Sequence, residues 1–144
     1  MNYLVALYGS QYYELTNNGK SGDSGRLNGN IFLSAFIILA LLLIIVFLAT
    51  FSEGFSHSLN NLFHSLFGYS SGKTIGRLLA IPLMGLIYFS ISQTIGSTAN
   101  YQKMVDEFNN FPEEDKKKST IKILKPFFIV LGAFFILMMS SLFR

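Results

Sequence analysis

The sequence predicts an all-α integral membrane protein, with three transmembrane helices plus an amphipathic interfacial helix between the first and second. Three observations carry that prediction. Of the 144 residues, 51% are hydrophobic and 13% are charged, about half the charged share of a soluble globular domain. Three apolar runs are each long enough for a ~30 Å hydrocarbon core, which takes about 20 helical residues to cross. Between the first two runs, the apolar residues recur at helical rather than strand spacing. This composition disfavours a soluble enzyme and excludes disorder for most of the chain.

Residues 1–30 read as a cytoplasmic N-terminal tail, partly flexible. Its opening, MNYLVALYGS, is too short to span and is expected at the membrane surface. Residues 16–30, TNNGKSGDSGRLNGN, have the Gly, Asn and Ser content of a linker. Residues 31–51, IFLSAFIILALLLIIVFLATF, form the first transmembrane helix, with no charge between Arg26 and Glu53. The run is about twice a signal-peptide core, and no small-x-small cleavage pattern follows it. An uncleaved signal anchor is therefore expected.

Residues 52–74 form the outer-face loop with the amphipathic helix. Phe51, Phe55, Leu59, Leu62, Phe63 and Leu66 fall within an arc of about 120°. Glu53, His57, Asn60 and His64 fall within about 60° on the opposite side. Gly68 is the expected C-cap. The helix is nearly uncharged, so its attachment to the membrane surface or to other helices is apolar.

Residues 75–96 form the second transmembrane helix, uncharged between Arg77 and Lys103. It is rich in small residues. Gly85, Ser92 and Gly96 share an arc of about 40°, a face on which another helix can approach closely. Gln93 needs a hydrogen-bond partner at the inner end, and with those three it makes the expected packing or partner site.

Residues 97–123 read as a charged cytoplasmic loop. Tyr101, Met104, Val105 and Phe108 lie on one face of a short continuation of the second span. NNFPEEDKKKS then breaks and restarts the helix. Pro112 suits a first turn, with Glu113, Glu114 and Asp115 at the positive end. Residues 124–143 form the third transmembrane helix, with Pro126 expected to kink it or loosen its hydrogen bonding.

Orientation follows from the basic residues. The tail and second loop carry eight Lys and Arg: Lys20, Arg26, Lys103, Lys116, Lys117, Lys118, Lys122 and Lys125. The first loop and the C-terminus carry three: Lys73, Arg77 and Arg144. The N-terminus is thus expected inside and the C-terminus outside. The Phe, Ile, Asn and Lys bias resembles a low-GC bacterial genome, and the expected location is the inner, cytoplasmic membrane.

Chemistry is sparse. The absence of Cys removes thiolate metal sites, thiol nucleophiles and disulfides. The net charge of +3 sits beside apolar segments, pointing to lipid headgroups rather than nucleic acid. SSGKT at 70–74 resembles a phosphate-binding loop, but Phe67 stands where that motif needs Gly, so no nucleotide is expected. Glu53 and His57 have the i, i+4 spacing of two metal ligands, with His64 two turns along. They read as a solvated polar face, with a cofactor or proton-exchange site as the alternative; no cofactor or metal is expected. No Asp, Glu, Lys or His lies mid-span, which argues against pumps and ion-coupled transporters.

The expected function is a small, non-catalytic accessory or scaffold subunit of a larger inner-membrane complex. Its partners would be membrane lipids and other integral membrane subunits. One alternative is a homo-oligomeric channel, carrier or stator-like subunit lined by Ser90, Gln93, Thr94 and Ser97. A second is a redox or cofactor-binding subunit using the loop histidines.

Overall fold

The computed structural model describes the backbone of residues 1–67 and 72–142, and their side chains except 63, 66, 67, 72–80, 141 and 142. Among the described residues the chain is all helical, with no strand. In order the helices are α1 (Tyr3–Asn17), α2 (Ser24–Phe51), α3 (Glu53–Phe67), α4 (Gly72–Gln93), α5 (Thr98–Asn109) and α6 (Glu113–Leu142).

The helix ends follow from local chemistry. Asn2 caps α1, its side chain accepting from the Val5 N–H at 2.8 Å. Gly19, at φ +70°, closes that helix. The Gly19 N–H donates to the Thr16 carbonyl at 3.0 Å and the Lys20 N–H to the Leu15 carbonyl at 2.9 Å. That pair of bonds is the Schellman arrangement, which needs the left-handed conformation Gly adopts freely. Ser52 is extended and separates α2 from α3, its Oγ accepting from the Phe55 N–H. The Pro112 carbonyl accepts from Asp115 and Lys116, so α6 starts where the sequence expects.

The buried core lies at one end of the molecule. α1 contributes Val5, Ala6, Leu7 and Tyr8, and α5 contributes Tyr101, Val105 and Phe108. Leu33 of α2, Ile91 of α4 and Ile123 of α6 complete it. α1 and α5 cross where Gly9 meets the Phe108 ring, and a Cβ on Gly9 would overlap that ring. Helices of 28 and 30 residues, α2 and α6, run for roughly 42 and 45 Å. That exceeds a ~30 Å hydrocarbon core, and their excess N-terminal turns are the parts that join α1 and α5. We call this packed end the cap.

Beyond the cap the helices are apolar and open. α2 and α6 are long and apolar enough to cross a membrane, and only 11% and 6% of their most apolar windows are buried. α2 is the hub, packing on α4 and on α6. The Phe127 ring of α6 lies 5.4 Å from Phe32 and 6.4 Å from Phe36 on α2. In α4 the described apolar stretch is Ile81–Gln93, shorter than a span.

Two expectations need correcting. The presumed linker is helical from Ser24 onward, with Gly25, Gly29 and Asn30 buried. Gly in a helix costs up to about 1 kcal/mol, but here its missing side chain admits neighbours. Tyr101 Oη would lie 2.6 Å from a Cβ on Gly25, and the Tyr8 ring 2.5 Å from one on Gly29. The opening residues pack against protein, with Val5, Ala6, Leu7, Tyr8 and Gly9 of α1 buried. α5 is not a continuation of α4, because the chain turns at residues 94–97 and restarts on the Ser97 cap. The Gly68 cap, and the side chains of Phe63, Leu66, Ser70, Lys73, Thr74 and Arg77, lie outside the described residues.

Candidate functional site

Asn30 stands immediately before the apolar run of α2 and is 1% exposed. Its Oδ1 accepts from Tyr8 Oη at 2.7 Å, and its Nδ2 donates to the Gly96 carbonyl at 3.4 Å. Arg26, one turn earlier on α2, donates to the same carbonyl at 3.5 Å. A buried amide without partners would cost a few kcal/mol, so these bonds hold α1, α2 and the α4–α5 turn in one register.

The turn is itself tightly made. The Gly96 N–H donates to the Ile91 carbonyl at 2.8 Å, and Asn100 Nδ2 donates to the Thr94 carbonyl at 2.7 Å. Tyr101 adds a second tie, its Oη donating to the Gly22 carbonyl at 2.6 Å. Its ring meets Tyr8 edge-on, with centroids 6.0 Å apart. Burial pushes both phenols up to about 12; the Arg26 charge opposes the rise at Tyr8, and Asp23 reinforces it at Tyr101. Both stay neutral donors at physiological pH.

Beside this network a cleft of 470 Å³ opens between α2 and α4. α2 lines it with Asp23, Arg26, Leu27 and Asn30, and α4 with Tyr88, Ser92 and Gln93. Ser97 and Thr98, at the start of α5, close one end. The wall therefore combines one cation, one carboxylate and several neutral donors and acceptors. Such a set can bind a polar ligand, but it holds no nucleophile paired with a base.

The sequence-derived packing site divides. Gly96 is buried against Asn30 and Tyr8, whereas a Cβ on Gly85 would meet nothing within 4 Å. Ser92 and Gln93 line the cleft, Ser92 Oγ also donating to the Phe89 carbonyl at 2.9 Å. The turn at 94–97 removes Gly96 from the α4 wheel, so the three small residues do not form one face. On α3, Phe55 and Leu59 are half-buried and Leu62 is exposed. Glu53, His57 and His64 are exposed, and His57 borders a shallow groove with Ser56, Leu59 and Asn60. Among the described residues, no group of three or more His, Cys, Asp or Glu could hold a metal ion.

Tyr8, Arg26, Asn30 and Tyr101 were not singled out from sequence as a site. A signal for them exists in the Gly25–Gly29 pair at i, i+4 and in Asn30 at the edge of an apolar run. No protein-family model matches the chain, and comparisons with curated proteins and with solved structures find no match.

Proposed function

We propose that the protein is a three-span, non-catalytic accessory or scaffold subunit of an inner-membrane complex, with α4 as its second span between α2 and α6. The carrying observation is the contrast between the packed cap and the nearly unburied apolar windows of α2 and α6. In lipid, apolar surface alone does not drive helices together; close packing at small residues does. Gly85 on α4 and Gly132 on α6 have nothing within 4 Å of a built Cβ. They are notches into which helices of other integral subunits fit. The apolar face of α3, with Phe55 and Leu59 half-buried and Leu62 exposed, supplies a further contact.

The N-terminus is inside and the C-terminus outside in this reading. α1 packs on α5, which puts the tail and the second loop on one side. Those two segments, with the adjoining Lys125, carry eight of the 11 basic residues, and the basic side is cytoplasmic. A second reading, a homo-oligomeric channel or stator-like subunit, is favoured by the exposed Ser90, Gln93 and Thr94 at the inner end of α4.

Extraction in mild detergent followed by mass determination of the intact assembly tests both. Unlike subunits in stoichiometric amount support the scaffold reading. A ring of this chain alone supports the second reading, and a bound chromophore or metal overturns both.

A further inference from the structure

We propose that the cleft between α2 and α4 binds the headgroup of a zwitterionic phospholipid, its phosphate on Arg26 and its ammonium on Asp23. The inference goes beyond the scaffold reading and shares with it only the placement in a membrane.

Charge complementarity is the first support. Arg26 and Asp23 line the same cleft one turn apart on α2. Neither enters the ion pair found among the described residues, Lys116–Glu113. Arg26 donates one long bond, to the Gly96 carbonyl, which leaves the rest of its guanidinium fork toward the cleft. Asp23 is exposed, and Ser21 Oγ donates to it at 3.3 Å. A purely anionic ligand would meet repulsion from that carboxylate, whereas a phosphate carrying an ammonium satisfies both charges.

Position is the second. Asn30, buried and hydrogen-bonded, forms the floor. The apolar run of α2 begins at the next residue, Ile31, which is 52% exposed. On α4, the amphipathic Tyr88 lines the cleft, and the exposed Met84 lies one turn before it on the same face. A polar pocket opening onto apolar helix surface is the shape a phospholipid demands, and 470 Å³ is within the usual range of ligand sites.

The test is lipid retention by the purified full-length protein. Native mass spectrometry after exchange into micelles doped with equal phosphatidylethanolamine and phosphatidylglycerol reads the preference. Wild type should retain phosphatidylethanolamine by about tenfold over phosphatidylglycerol. Arg26→Gln should lose about tenfold in phosphatidylethanolamine retention. Asp23→Asn, at an exposed side chain, keeps the fold and should abolish the preference. Lys122→Gln, outside the cleft, should leave it unchanged. Equal retention of the two lipids by wild type overturns the proposal, as does an Asp23→Asn variant that keeps the preference. Glycerophosphoethanolamine should compete poorly. If it displaces the lipid at comparable concentration, the ligand is a soluble phosphate ester and the lipid assignment fails. Because assembly mass and lipid preference are separate measurements, failure here is distinguishable from failure of the scaffold reading.

Discussion

Replacing Gly96 by Ala places one methyl group where the structure has no room for it. Gly96 does not occupy the left-handed region, which among the described glycines belongs to Gly19. The substitution therefore carries no dihedral penalty, and its effect is steric. The new Cβ would overlap Asn30 Oδ1 and come within 2.8 Å of Tyr8 Oη. Those two groups are buried and bonded to each other at 2.7 Å, so neither swings aside freely. Overpacking of this kind costs about 1–3 kcal/mol. Parting Tyr8 from Asn30 adds about 1–3 kcal/mol for polar groups left unpaired. The total is about 2–6 kcal/mol, and at about 4–8 °C per kcal/mol for a domain the size of the cap the melting temperature should fall by about 10 °C or more. Near-UV circular dichroism in detergent follows it, through tyrosine and phenylalanine signals since the chain has no Trp. Gly85→Ala is the paired control, with open space around the new methyl and a gain of up to about 1 kcal/mol in helix propensity. If Gly96→Ala melts with wild type while Gly85→Ala unfolds early, the cap does not pack as described.

Phe108→Ala should lower cap stability by about 3–5 kcal/mol, because its ring is fully buried against Gly9; a denaturant midpoint unchanged from wild type contradicts this. Tyrosine ionisation, followed by phenolate absorbance, should show Tyr8 and Tyr101 losing their protons near pH 12. Since burial favours their neutral forms, the folded cap holds protons that the unfolded chain releases near pH 10, so stability is full below about pH 10 and declines toward about pH 12. A cap that melts at the same temperature on both sides of that window contradicts the assignment. The absence of native Cys makes single-cysteine labelling clean: in intact cells Glu14→Cys and Asp106→Cys should resist an impermeant maleimide, and Ser58→Cys should react. Reaction at Glu14 and Asp106 together with protection at Ser58 reverses the topology.

What the sequence by itself determined was the local and compositional part. In hydrocarbon an unbroken apolar run of this length can only be a helix, because lipid supplies no hydrogen bonds to the backbone, and α2 is helical throughout its run. Pro112 followed by three acidic residues marks a helix start through its own backbone chemistry, and α6 begins there. The face of Tyr101, Met104, Val105 and Phe108 was legible from spacing alone; Tyr101, Val105 and Phe108 are buried and Met104 partly so. Tertiary structure decided the rest. Residues 24–30 have the composition of a linker, and they became helix because Tyr8 and Tyr101 fill the space that Gly25 and Gly29 leave open. Gly96 left its expected stripe because the chain turns after Gln93, a turn closed by a bond to the Ile91 carbonyl. Asn30, Tyr8 and Gly96 are separated by 22 and 66 residues along the chain and meet through hydrogen bonds. Periodicity registers neighbours within one helix; it carries no information about which distant donor will satisfy a buried amide, and that pairing sets the floor of the cleft.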